Sequence, residues 1–173
     1  MRFVAFLGGI NVGGHRVTMD RLRDELTPLG YDDVSTFIAS GNVIFASKKR
    51  ASTLEPEIGA HLQDALGYAV PTFVRRAADL ERLASREPWG TVPDGHTLMV
   101  WMLRDAPDAA AAAATEALSN DQDRFQVIGT ELYQQVRGGF SDSSVKPAAL
   151  ARALGRPATA RNRTSLRKLV ATL

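Results

Sequence analysis

Hydrophobic periodicity in this chain spells strand, helix, hairpin, helix, and then spells the same order again. This repeat of pattern, not of sequence, is what most limits the fold. Residues 2–7 are short, apolar and stopped by Gly8 and Gly9, which predicts a buried strand. Thr18 offers an N-cap, Leu22, Leu26 and Leu29 share one helical face, and Gly30 stands where a helix ends, so a helix is expected from about Met19 to Leu29. Val34–Ile38 and Asn42–Ala46 are rich in strand formers and read as a hairpin turning at Ala39-Ser40-Gly41. Leu54, Ile58, Leu62 and Leu66 form one stripe, closed by Gly67. Val70–Val74 follows as a strand that Pro71 pushes towards a sheet edge. The order β-α-β-β-α-β over residues 1–76 is that of the ferredoxin-like plait.

Residues 77–173 read similarly. A short helix carries Leu80 and Leu83, and Pro88, Gly90, Pro93 and Gly95 mark a loop. Thr97–Leu103 predicts a strand. Asp105 and Pro107 predict the start of a helix through the six alanines Ala109–Ala114. Phe125–Ile128 and Glu131–Val136 predict a second hairpin around Gly129-Thr130. Pro147 opens a helix that Gly155 ends, and a further helix closes the chain. The expected class is therefore α+β: two ferredoxin-like subdomains, 1–76 and 77–173, able to form one compact domain. The second is read as lacking its last strand and carrying a basic C-terminal helix.

A chain of 173 residues buries roughly two-thirds of its unfolded surface and needs no covalent staple. It has no cysteine, which excludes disulfides, thiolate metal sites and cysteine nucleophiles and fits a reducing cytoplasm. The apolar runs at Met1–Leu7 and Leu98–Leu103 are too short for a signal-peptide core or a membrane span, so a soluble, cytoplasmic, membrane-free protein is expected. Net charge is +2, unevenly spread. From Ser141 onwards seven bases (Lys146, Arg152, Arg156, Arg161, Arg163, Arg167 and Lys168) face only Asp142, a local +6 that leaves −4 elsewhere. Such a segment suggests an anionic partner; a solvated helical face is the plainer reading.

The loop Gly8-Gly9-Ile10-Asn11-Val12-Gly13-Gly14-His15 leaves a strand and enters a helix, where backbone N–H groups and the helix dipole favour an anion. It lacks the Gly-Lys-Ser/Thr of a P-loop and the glycine spacing of a dinucleotide fingerprint. A purely conformational loop explains the same glycines. In the C-terminal helix, Leu166, Leu169, Val170 and Leu173 form an apolar stripe. Arg161 and Lys168 are placed along one edge and Arg163 and Arg167 along the other, and Asn162 is a candidate cap. The candidate ligand-binding residues are thus Asn11, Gly13, Gly14, His15, Arg161, Arg163, Arg167 and Lys168. Gly138-Gly139-Phe140-Ser141-Asp142-Ser143-Ser144 repeats the glycine-and-hydroxyl pattern before a helix, or is simply a capped turn. Ser40-Gly41-Asn42 lies in a hairpin, not in the strand–turn–helix setting of a serine nucleophile. His15, His61 and His96 lack metal-ligand spacing, Glu25 has no identifiable partner, and Asp32-Asp33 reads as a turn. Nothing calls for a cofactor or a metal.

Four stretches, in order, resemble one family. Phe6-Leu7-Gly8-Gly9-Ile10-Asn11-Val12-Gly13-Gly14 is similar to the opening signature of the bacterial domain of unknown function DUF1697. Met19 and Leu22 suit its first helix, Thr36–Phe45 its central hairpin and Thr159-Ala160-Arg161-Asn162 its C-terminal element. Two departures stand out. Gly8 replaces the family's usual arginine, and Arg163-Thr164-Ser165 stands where the family has Trp-Asn-Thr, which alters any surface those residues build. The resemblance implies a bacterial source and a shared fold, and no reaction. Three functions remain open: binding of a phosphorylated small molecule or a nucleic acid, an enzyme with its site in a cleft between the subdomains, or a module for protein interaction, including homo-oligomerisation.

Overall fold

Strand β1 (Arg2–Leu7) has almost no exposed side chain after Arg2, because both faces of its sheet are covered. That is why it reads as an unbroken apolar run and not as an alternating one. The computed structural model describes residues 1–11, 13–38 and 41–173, in two units: Met1–Leu80 with Leu173, and Glu81–Thr172. Among the described residues it is an α+β protein with two four-stranded antiparallel sheets and six α-helices.

In the first unit β1 is followed by α1 (Met19–Leu26), whose first turn is capped by the Thr18 hydroxyl accepting from the Arg21 amide at 3.1 Å. The helix tightens into a 3-10 turn over Thr27–Leu29 before Gly30. Strands β2 (Asp32–Phe37) and β3 (Asn42–Ala46), helix α2 (Ala51–Leu66) and strand β4 (Thr72–Arg76) complete the unit. The strand order is β2-β3-β1-β4. Phe3 faces Phe45 and Ala5 faces Val43 and Val74 across the sheet. Leu22 and Leu26 of α1 and Leu54, Ile58 and Leu62 of α2 share their core. On the opposite face Val4, Phe6, Ile44 and Phe73 are buried too. β4 is an edge strand, and the buried Glu55 carboxylate accepts its Val74 N–H at 2.8 Å, covering a donor that an edge leaves open. Gly67 ends α2 at φ 78°, as its place after Leu66 predicts. Ala39 and Ser40, the first residues of the expected hairpin turn, lie outside the described residues, as does Val12.

Helix α3 (Ala77–Ser85) carries the chain from one unit into the other. The second unit contains β5 (His96–Leu103), α4 (Ala109–Glu116), β6 (Asp123–Ile128), β7 (Glu131–Arg137), α5 (Pro147–Leu154), β8 (Ala158–Asn162) and α6 (Arg163–Val170). Its order is β6-β7-β5-β8. The second sheet is therefore not missing its last strand. Ala158-Thr159-Ala160-Arg161-Asn162 has no run of β-branched or aromatic residues to announce it; pairing with β5, Arg161 opposite Val100 and Thr159 opposite Met102, makes it a strand. A second correction concerns α4, which is capped by the Asp108 carboxylate on the Ala111 N–H at 2.8 Å, not by Asp105. One face of this sheet packs Leu103, Phe125 and Leu132 against Leu150 and Leu154 of α5.

A candidate anion site at the glycine loop

The β1–α1 loop is fixed at both ends. At its start Leu7 donates its N–H to the Gly41 carbonyl at 2.9 Å and Gly8 donates to the Pro71 carbonyl at 2.7 Å, so the approaches to β3 and β4 hold the exit from β1. At its far end Val17 is buried and Thr18 caps α1. Asn11 ties the two ends together: its Oδ1 accepts from the Val17 amide at 2.7 Å. It does so from a left-handed backbone at φ 60°, a conformation asparagine tolerates better than other side chains. Gly13 and Gly14 continue at φ 61° and 90°. Among the described residues the amides of Gly13, Gly14, His15 and Arg16 donate to nothing in the protein.

These residues border an open depression of about 510 Å³ lined by Asn11, Gly14, His15, Arg16, Val17 and Thr18. The sequence had singled out three of them as site residues. Arg16 it had not: an isolated arginine carries no pattern, although it follows His15 directly. Arg16 is exposed and makes no ion pair among the described residues. The His15 ring lies on Tyr68, centroids 3.8 Å apart and planes 23° apart. Tyr68 comes from the connection after α2, and its hydroxyl is buried without a hydrogen-bond partner. No carboxylate lines the depression, and the Thr18 hydroxyl is engaged in capping. The set combines a guanidinium, an imidazole, free amide donors and a helix N-terminus, which suits binding an anion and supplies no acid–base pair.

The C-terminal candidates are arranged differently. Arg161 sits in β8, ahead of the helix, and is 8% exposed. Its Nη1 donates to Thr159 Oγ1 at 2.9 Å and to the Ala160 carbonyl at 2.8 Å, and burial pulls its pKa down to about 10. Arg163 Nη1 lies 2.6 Å from Glu87 Oε1 and Arg167 Nη2 3.7 Å from the same atom. Arg167 Nε also donates to the Ala84 carbonyl at 3.3 Å, so both guanidinium groups tie α6 to the end of α3 and the loop after it. Lys168 is exposed and makes no ion pair among the described residues. Asn162 caps α6, its Oδ1 accepting from the Thr164 N–H at 2.8 Å. On the same face of the sheet as Arg161 lies the fully buried Tyr133, whose hydroxyl is pushed up to about 12 by burial and then by the Glu131 carboxylate.

The second glycine-and-hydroxyl loop serves the buried carboxylate of Asp123, which no local sequence pattern marks. Ser143 and Ser144 both bond Asp123, and Gly139 donates its N–H to Asp142 Oδ2 at 2.7 Å. This is the capped turn that the loop's composition also allowed. Glu25 has partners after all, Arg21 Nε and His61 Nε2, each at 3.6 Å. His96 Nδ1 faces the Asp94 carbonyl. Among the described residues no group of three or more histidines and acids could hold a metal, and no helix is long and apolar enough to cross a membrane. Ser40 lies outside the described residues.

A family model described as "Protein of unknown function (DUF1697)" matches residues 1–133. Among solved structures the chain is similar to the conserved bacterial protein SP0830 from Streptococcus pneumoniae, with a TM-score of 0.74 and 24% identity over 99% of this chain and 97% of that one. No curated protein matches the chain.

Proposed function

The chain belongs to the DUF1697 family, and since that family carries no assigned reaction, we propose a function from the site itself: the β1–α1 loop binds the phosphate group of a small phosphorylated molecule. The observation that carries this reading is the exposed Arg16 guanidinium beside amides that donate to nothing else, on the rim of one depression. Guanidinium and backbone N–H together match the several acceptor oxygens of a phosphate. Gly13 and Gly14 leave the approach free of side chains. In this reading Asn11 shapes the loop, and His15 and Arg16 meet the ligand. Arg161, Arg163 and Arg167 act through the fold by securing β8 and α6. A polynucleotide fits less well, because three of the four basic C-terminal candidates already have partners within their own unit. The strand order in each sheet supports two ferredoxin-like plaits, and the absence of cysteine supports a cytoplasmic setting.

Titration of the full chain with ribose 5-phosphate at low salt, followed by amide NMR shifts, tests this. The shifts are expected to centre on residues 13–18. Arg16→Ala should weaken binding about 10-fold or more, since a hydrogen bond to a charged group contributes about 1.5–3 kcal/mol. Saturating ligand without shifts at these residues, or unchanged affinity in the variant, overturns the reading.

A further inference from the structure

Resting on the phosphate reading, we infer that the ligand is a mononucleotide, its phosphate on the glycine loop and its base on the outer face of the His15 ring. The imidazole is not a loose loop side chain: one face is covered by Tyr68 at a centroid separation of 3.8 Å, while the residue as a whole stays exposed and lines the depression. Tyr68 is packed against the core of the first unit. A ring held in place before the ligand arrives loses little freedom on binding, so a planar group can add a third layer to the stack at low entropic cost. His15 and Arg16 are consecutive, with α-carbons about 3.8 Å apart. Both line the same depression, so a ring face and a cation are offered to one ligand. The depression, about 510 Å³, lies within the range that holds small ligands. A sugar phosphate would use Arg16 and the amides and leave the stack uncovered.

The site should tolerate different bases. Asn11 Oδ1 is committed to Val17 and Thr18 Oγ1 to Arg21, so two of the polar groups able to read a base edge are engaged in holding the loop. Stacking then ranks the ligands, and the larger purine ring should bind more tightly than a pyrimidine.

The full chain titrated with AMP, UMP, ribose 5-phosphate and adenosine decides the matter. AMP is expected to bind ~5-fold or more tightly than ribose 5-phosphate, with UMP between them. His15→Ala should abolish the preference, the ratio of the AMP and ribose 5-phosphate affinities falling to about 1 whatever the change in each, while His15→Phe, which keeps a ring on Tyr68, should retain the preference. Arg16→Ala should weaken both phosphates. Equal binding of AMP and ribose 5-phosphate overturns the base subsite and leaves the phosphate reading standing. Adenosine binding as tightly as AMP overturns the phosphate reading. No binding by any of the four overturns both.

Discussion

Asp123 shows how much one buried charge can organise. It is fully buried, and both oxygens are satisfied: Gln134 Nε2 and Ser143 Oγ donate to Oδ1, the Ser144 amide and hydroxyl to Oδ2, all at 2.8 Å. Burial works to raise its pKa, but the hydrogen bonds from Gln134, Ser143 and Ser144 outweigh it and hold the group below the usual carboxylate range. A pKa lowered by folding stabilises the protein above the unfolded value of about 3.9, and that stability is lost as pH falls through the folded value. Asp123→Asn keeps the shape but turns donors towards donors, and should cost about 2–4 kcal/mol at pH 7. Urea unfolding of both proteins at pH 7 and pH 3 should show the gap narrowing in acid, because the unfolded wild-type carboxylate takes up a proton more readily than the folded one. A gap of the same size at both pH values would mean that the charge contributes nothing. This network is not legible in the sequence, because Asp123 and Ser143 are 20 residues apart and none of these residue types announces a partner.

Elements were legible where local chemistry and tertiary packing agree. The stripe Leu54, Ile58, Leu62 and Leu66 with Gly67 behind it predicts α2 to the residue at its C-terminal end, and the buried run of β1 predicts that strand whole. β8 was illegible because its small and polar residues become a strand only through β5, and the Tyr68 platform because it is far from His15 in sequence. The glycines of the first unit separate two physical roles. Gly30, at φ 73°, ends the 3-10 turn after α1 with nothing within 4 Å of where a Cβ would lie. Gly41, at φ 72°, would place a Cβ 3.2 Å from the Leu7 Cβ and 3.3 Å from the Ile10 Cβ. Gly30→Ala should therefore cost only the left-handed backbone penalty, about 1 kcal/mol. Gly41→Ala adds a collision with the packed base of the glycine loop and should cost about 2–4 kcal/mol. It should also weaken phosphate binding, because Leu7 and Ile10 carry the loop. Denaturant midpoints for the two variants check the ranking; equal losses would mean that the β3 end of the sheet does not brace the loop.

At the scale of the molecule, charge counted along the sequence and charge offered to a partner are different quantities. The segment from Ser141 to Leu173 carries seven bases, yet Arg161 is buried, Arg163 and Arg167 share Glu87, and Arg156 Nη1 donates to the Asp105 and Ala106 carbonyls, both at 3.0 Å. The exposed bases with no such partner among the described residues, Lys146, Arg152 and Lys168, are spread over the approach to α5, α5 itself and α6. A polyanion gains affinity by releasing counterions at each phosphate it hands to a cation, with a logarithmic salt slope of about 0.7 per contact for a single strand. Three dispersed cations limit this segment's share of that slope to about 2, too little for the segment by itself to hold an oligonucleotide at physiological salt. A labelled single-stranded 12-mer RNA with a 5′-hydroxyl should show no binding by anisotropy at 0.15 M salt and only weak, shallowly salt-dependent binding at 0.02 M. A slope near 5 would require a continuous cationic track, and would move the function from a small phosphorylated ligand to a nucleic acid.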